Sequence, residues 1–283
     1  METRYLDVAG GRLAYDLYGE DNTGPLVVCA PSLGDLRGEY RFLGPQLAEA
    51  GYRVAAFDVR GLGESSARWD DYSAAATGAD MLAFVREFGG DPAFLIGTSI
   101  AGGAAVWAAA EAPELVAGLV LIGANVGGDP GPRWRLRLMY GTLLARPWGA
   151  AAWLSYFASL YPTARPDDWT AYTARLRENL REPGRLAALR RQVVALADGA
   201  SQVAPRVATV AMPTLVMMGT KDRDFKDPAA EARLIAERLR PTRATVRLME
   251  GAGHYPHAEI PAQAGPEIVA FLDGAREAAA HGA

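Results

Sequence analysis

A serine, an aspartate and a histidine, far apart in the chain, have the types and settings for nucleophilic acyl chemistry. Ser99 lies in Phe94-Leu95-Ile96-Gly97-Thr98-Ser99-Ile100-Ala101-Gly102-Gly103. An apolar, strand-like run passes into the serine, and a small-residue run suited to a helix follows at once. Such a serine occupies a tight strand-to-helix turn that projects its hydroxyl from the sheet edge beside a helix N-terminus. Gly97 and Ala101 flank it because larger residues would collide across that turn. The fifth position of a Gly-x-Ser-x-Gly pattern is taken here by Ala101, the next smallest residue. The alternative is a plain Gly/Ser turn that only links strand to helix.

A serine nucleophile needs a base, and the base needs an orienting carboxylate. Pro213-Thr214-Leu215-Val216-Met217-Met218-Gly219 reads as a buried strand and ends in Thr220-Lys221-Asp222-Arg223-Asp224. Thr245-Val246-Arg247-Leu248-Met249 reads as another and ends in Glu250-Gly251-Ala252-Gly253-His254. Both candidates follow the C-terminal end of a strand, where open α/β sheets place their sites. The chain has 3 histidines; besides His254 there are His257, on the same loop, and His281, in the terminal tail.

The elements that must position these residues alternate along the chain. Thr3 to Val8 and Arg12 to Tyr18 read as antiparallel strands joined by Gly10-Gly11. Leu26 to Ala30, Arg53 to Phe57, Ala93 to Gly97 and Ala117 to Gly123 read as strands. Between them Leu36 to Ala50, Ser73 to Phe88 and Ile100 to Ala112 read as helices. A helix over Pro228 to Leu239 and a last one from about Pro266 complete the pattern. Strands alternating with helices predict a parallel sheet covered on both faces.

The chain resembles the α/β-hydrolases that carry an inserted lid. Besides the serine turn, Asp58-Val59-Arg60-Gly61-Leu62-Gly63-Glu64-Ser65 is similar to the family's D-x-R-G-x-G-x-S segment. Gly219-Thr220-Lys221-Asp222 is similar to its acid turn, and Gly251-Ala252-Gly253-His254 to its histidine turn. The chain order Ser, acid, His is that of the family. The resemblance implies an α/β-hydrolase fold, a mostly parallel sheet flanked by helices, with a helical lid inserted after strand six. The core is then 1–125 and 206–283, and the lid 126–205. It also implies Ser99 as nucleophile, His254 as base and Asp222 as acid, with an oxyanion hole from the N–H groups of Ile100 and Leu33. The loop holding Leu33 departs from the family pattern: Pro31-Ser32-Leu33-Gly34 stands where His-Gly is usual. Ser32 thus replaces a glycine, and its hydroxyl is an alternative donor.

Rival residues are few. Asp224 could replace Asp222 as the acid. Some relatives take the acid from after the preceding strand, where this chain has Asn125, which carries no charge, and Asp129, farther along. Asp58 reads as a loop-organising residue, and His257 as a supporting or an exposed one. No Cys/His cluster or paired His pattern suggests a metal, and no Gly-x-Gly-x-x-Gly opens a dinucleotide site, so neither metal nor cofactor is expected.

The segment from Val126 to Pro205 has helical patterns and nine aromatics between Trp134 and Tyr172. A lid would exclude water and shape an apolar pocket there. Most of these rings should bind lid helices to the core and a minority should line the pocket. From Gly127 to Pro205 eleven arginines stand against six acids, although the whole chain has a net charge of -4. Solvated helix faces account for this better than attraction of an anionic substrate.

A chain of 283 residues, half of them hydrophobic, can bury a sizeable core. Its pI of about 5.5 argues against a nucleic-acid partner. Cys29 is the one cysteine and cannot form an internal disulfide. No signal-like or membrane-spanning run stands out, which makes a cytoplasmic enzyme the simplest expectation. The expected partner is a small-molecule acyl substrate, with a homodimer left open. Hydrolysis of a small or medium carboxylic ester or lactone leads. A carbon–carbon bond hydrolase, a cyclase or transacylase, and a ligand sensor on the same scaffold are the alternatives. Epoxide hydrolases and haloalkane dehalogenases are disfavoured, because those relatives carry Asp where Ser99 stands.

Overall fold

A computed structural model describes residues 3–127, 131–239 and 244–282. Eight strands form one sheet: β1 (Arg4–Val8), β2 (Gly11–Tyr18), β3 (Leu26–Ala30), β4 (Arg53–Phe57), β5 (Ala93–Thr98), β6 (Val116–Ile122), β7 (Thr214–Gly219) and β8 (Thr245–Met249). Their order is β1-β2-β4-β3-β5-β6-β7-β8. The β1–β2 and β2–β4 pairs are antiparallel and all others parallel. The chain is thus an α/β-hydrolase-type sheet, mostly parallel, with helices on both faces.

Side-chain alternation divides the core. Leu26, Val28 and Ala30 of β3 join one apolar cluster, while Val27 and Cys29 join the other. The first cluster packs α2 (Ala74–Phe88) and α3 (Ile100–Glu111) onto one face; the second packs α1 (Leu43–Glu49) and α12 (Pro261–Gly282) onto the other. Cys29 is buried, and burial pushes its thiol well above the ordinary value. Ser73 caps α2 by accepting the Ala76 N–H at 3.2 Å, a contact worth about 1 kcal/mol.

Two helices differ from their sequence reading. Leu36 to Ala50 is not one helix: a 3-10 turn spans Arg37–Tyr40, and α1 starts only at Leu43. Pro45 explains the late start, since proline lacks the N–H that a helix interior requires and fits only in a first turn. At the other end α11 (Pro256–Glu259) is followed by α12, which starts at Pro261 rather than near Pro266.

Between β6 and β7 the described residues contain no strand. They form α4 (Arg133–Leu143), α5 (Gly149–Ser159), α6 (Trp169–Arg181), α7 (Arg185–Ala195) and the short α8 (Gly199–Gln202) and α9 (Ala204–Val207). After β7 comes α10 (Pro228–Arg238). Strand order reverses between β3 and β5, with β4 on one side of β3 and β5 on the other. Loops leaving two such strands diverge and open a crevice at the sheet edge. The Leu33 loop follows β3 and Ser99 follows β5, so both border that crevice.

Candidate active site

Ser99 has φ 55° and ψ -117°, and it is the one non-glycine residue with positive φ among the described residues. Such a backbone costs about 1–3 kcal/mol and persists only where its surroundings enforce it. The enforcing contacts are visible. The Ser99 N–H donates to Ile122 O at 2.8 Å, and Ser99 O accepts from Gly102 N and Asn125 N, each at 3.0 Å. A Cβ at Gly97 would run into the Ala101 carbonyl, so the strand can approach the helix only with glycine there. Ile100 opens α3, where the first N–H groups have no intrahelical acceptor and point out of the helix.

His254 stands over the end of the neighbouring strand. A Cβ on Gly123, the residue after β6, would meet the His254 ring at 3.1–3.2 Å. Since Ser99 is hydrogen-bonded to Ile122, serine and imidazole abut the same strand end. The imidazole Nδ1 lies 2.7 Å from Asp222 Oδ2, and both residues are almost wholly buried. Burial disfavours the imidazolium, yet the charge and hydrogen bond of Asp222, with the charge of Asp224, lift the His254 pKa above its ordinary 6.5. Asp222 itself is held by the turn in which its N–H donates to Gly219 O at 3.1 Å. Gly219 leaves no room for a Cβ because the Ala252 and Gly253 carbonyls lie against it. The acid and histidine turns therefore interlock through backbone.

Asp224 lies farther from the ring, with Oδ2 3.8 Å from His254 Nδ1. Asn125 accompanies the serine turn through its backbone N–H, and Asp129 lies outside the described residues. Asp58 is buried and organises its loop: its carboxylate accepts from Arg37 N at 2.7 Å and Glu64 N at 2.9 Å, and pairs with the Arg37 guanidinium. His281 is exposed in α12.

The Leu33 loop is held from beneath by residues that no sequence motif announced. Glu39 is fully buried; Oε2 accepts the Ser32 N–H at 2.8 Å and Oε1 lies 3.0 Å from His257 Nε2. His257 is thus a buried support, not an exposed residue. Gly34, at φ 67°, turns the chain, and its carbonyl accepts from Trp153 Nε1 of α5 at 3.0 Å. Glu259 ties the inserted segment to the histidine turn, accepting from Thr163 N, Ala164 N and Gly253 N at 2.6–3.0 Å. The His254 N–H donates to Leu160 O of the same segment at 3.0 Å. A sequence offers no spacing rule for these contacts, because each joins residues brought together only by the sheet.

Two spaces flank the site. A narrow cavity of about 40 Å3 is bordered by Pro31 and Ile100, and an open groove of about 430 Å3 is bordered by Leu33, Trp153, Tyr156 and Arg223. Ligand atoms of Asp222, Asp224 and His254 lie within 4.8 Å of one another, the one such cluster among the described residues. A cation there would have to displace the Asp222–His254 hydrogen bond. No helix among the described residues is long and apolar enough to cross a membrane.

Residues 25–261 match the family model for the alpha/beta hydrolase fold. A 2-hydroxy-6-oxononadienedioate/2-hydroxy-6-oxononatrienedioate hydrolase of Klebsiella pneumoniae is 31% identical over 196 residues, 67% of each chain. Among solved structures, an esterase from Exiguobacterium antarcticum superposes with a TM-score of 0.81 at 18% identity, covering 96% of this chain and 100% of the other. An enol-lactonase from Burkholderia xenovorans has a TM-score of 0.78 at 22% identity, over 95% and 100% of the two chains.

Proposed function

The chain belongs to the alpha/beta hydrolase fold family, and on that scaffold we propose a serine hydrolase that cleaves a small or medium carboxylic ester or lactone through an acyl-enzyme on Ser99. The observation that carries this reading is the left-handed backbone of Ser99, φ 55°. A strained serine on a strand-to-helix turn gains nothing in stability; it exposes Oγ to a bound carbonyl.

The steps follow from the groups present. His254 donates Nδ1–H to Asp222, which leaves Nε2 as the base. Ser99 Oγ attacks the carbonyl carbon and its proton passes to Nε2. The resulting oxyanion is met, on this reading, by the N–H groups of Ile100 and Leu33. Collapse of the tetrahedral adduct expels the alkoxide, which takes the proton back from His254. Water then repeats the sequence on the acyl-enzyme and releases the acid. The helices of 126–205 act as the lid: Trp153 and Leu160 hold the Leu33 loop and the histidine turn through hydrogen bonds. Substrate is a small molecule, and no cofactor takes part.

A second reading, a carbon–carbon bond hydrolase, is favoured by the Klebsiella relative, whose name gives 2-hydroxy-6-oxononadienedioate and 2-hydroxy-6-oxononatrienedioate as what it hydrolyses. The test is a panel of p-nitrophenyl esters and lactones beside a 2-hydroxy-6-oxo-dienoate, with mass spectrometry of Ser99. Ester turnover with an acylated Ser99 supports the first reading. Dienoate turnover with inert esters supports the second, and modification of Ser32 or Ser65 with Ser99 untouched overturns both.

A further inference from the structure

Helix α4 of the inserted segment buries little of itself: of its 11 residues only Leu136 is buried. Arg133, Leu136, Arg137, Tyr140 and Gly141 line a groove between α4 and α7. Trp134, Leu138, Met139 and Leu143 lie at other helix positions and are exposed, Trp134 at 68% and Leu138 at 65%. Trp134 and Leu138 are four positions apart, as are Met139 and Leu143. They form two rows along the helix, with Arg135 and Thr142 between them. Trp148 extends the patch: its Nε1 donates to Thr142 O at 3.0 Å, and it is 55% exposed. Nine large apolar residues are exposed among the described residues, and five of them are gathered here. An apolar patch concentrated in this way marks a surface that meets a partner.

The charge around the patch selects the partner. Residues 131–166 contain five arginines and no lysine, aspartate or glutamate. Arg133 pairs with Asp198 at 2.8 Å, and Asp70 and Asp71 border the groove on that side of α4. Arg146 donates to the Arg181 and Glu182 carbonyls, which leave its charge unpaired. Arg135 and Arg137 form no ion pair among the described residues. A two-fold dimer would set this patch against its own copy, arginines facing arginines. An anionic lipid surface accommodates both features. Tryptophan and leucine enter the boundary of headgroups and acyl chains, and the arginines meet the phosphates. A helix bound in this way lies in the plane of the interface and need not span the bilayer.

We propose that α4, with Trp148, docks the protein on an anionic lipid surface: Trp134, Leu138, Met139 and Leu143 enter the interface, and Arg135 and Arg137 bind the headgroups. Leu143 also borders the open groove beside Leu33, so the docked face adjoins that groove. The proposal goes beyond the ester-hydrolase reading and does not depend on it.

The test is co-sedimentation of the purified protein with two kinds of vesicle. One is phosphatidylcholine alone; the other is an equal mixture of phosphatidylcholine and phosphatidylglycerol. The protein should bind the mixed vesicles at least roughly tenfold more tightly, and salt should weaken that binding. Arg135→Gln should weaken binding to mixed vesicles by roughly fivefold. The double variant Trp134→Gln, Leu138→Gln should weaken it by roughly tenfold or more. These side chains are exposed, so the melting temperature should stay near that of the native protein. Absence of binding to mixed vesicles overturns the proposal, as does equal binding to both kinds. Binding that both variants retain also overturns it, because another surface is then responsible. A dimer that Leu138→Gln dissociates, in a protein that ignores vesicles, would assign the patch to a second copy of the chain and likewise overturn it. Fluorophosphonate labelling of Ser99 is scored separately. Vesicle binding without labelling strikes the hydrolase reading and leaves the docking proposal standing; labelling without vesicle binding does the reverse.

Discussion

Tyr156 Oη lies 2.7 Å from both carboxylate oxygens of Asp224, so a phenol of the inserted segment engages the second aspartate of the acid turn. Asp224 and Asp222 are separated by one residue, and sequence alone allows either as the partner of His254. Geometry separates them: Asp222 is 2.7 Å from Nδ1 and almost fully buried, whereas Asp224 is 3.8 Å away and faces Tyr156. Asp222→Asn should therefore lower kcat on a reactive ester by roughly 10⁴, as loss of a tautomer-fixing acid does. Asp224→Asn should cost within about tenfold, since its charge only supplements that of Asp222. Steady-state kinetics on purified, folded variants decide between them, and a larger loss for Asp224→Asn would move the acid by two positions.

The same pair sets the pH dependence. The base works as neutral imidazole, and the surrounding carboxylates lift its pKa above 6.5. Activity should thus be lost as pH falls through a value above 6.5, giving an acid limb higher than for a solvated histidine. Stability runs the other way. A raised folded-state pKa contributes stability that is complete below the unfolded value and vanishes as pH rises through the folded one. Removing the negative charge in Asp222→Asn should lower the acid limb of kcat/KM. A native limb below 6.5, or one unmoved in the variant, would show that Asp222 does not govern the base.

The turns that hold Ser99, Asp222 and His254 were legible in the sequence because each depends on local backbone. Ser99 needs glycine at 97 so that strand and helix can cross, and Gly219 lets the acid turn touch the histidine turn. The sheet was legible from short continuous apolar runs such as Leu26 to Ala30. The boundaries near Pro45 and Pro261 were less so, since a proline marks a first turn without saying where that turn begins. Glu39, His257, Tyr156 and Glu259 were not legible as supports of the site. His257 and Glu39 meet across 218 positions of sequence, and only the folded sheet edge brings them to 3.0 Å. Glu39 stands between Arg37 and Arg41 in the sequence, a setting that reads as a solvated charge and gives no sign of its burial.

That buried carboxylate leads to a prediction about the oxyanion loop. Glu39 Oε2 holds the Ser32 N–H, next to the Leu33 N–H that is to meet the oxyanion. Glu39→Ala removes the acceptor and leaves Ser32 N–H and His257 without their partner. A loosened donor should cost kcat on the order of 10²–10³ with KM less affected, as for loss of an oxyanion contact. Glu39→Gln keeps one acceptor and should recover part of that loss. If kcat is intact in a folded Glu39→Ala protein, the loop does not depend on this carboxylate, and Leu33 loses its support as a donor.

The aromatics of the inserted segment should divide into two classes by position. Phe157, Tyr161, Trp169 and Tyr255 form one packed cluster with ring centroids 4.9–5.7 Å apart, and Phe157 is fully buried. Tyr140 and Tyr156 instead border the open groove beside Leu33. Phe157→Ala should lower unfolding free energy by about 3–5 kcal/mol, because a buried ring leaves a cavity that its neighbours fill only in part. Its effect on relative kcat/KM among esters should be small. Tyr140→Ala and Tyr156→Ala should instead shift preference among esters of different chain length by roughly 10–200-fold, with little loss of stability. Trp153 belongs to both classes: it borders the groove, yet it is buried and donates to Gly34 O at 3.0 Å. Trp153→Phe should therefore lower kcat for every ester, short or long, through the Leu33 loop. Denaturant unfolding together with a p-nitrophenyl and alkyl-alcohol ester panel separates these effects. If the groove variants leave the ester ranking unchanged, the substrate does not occupy that groove.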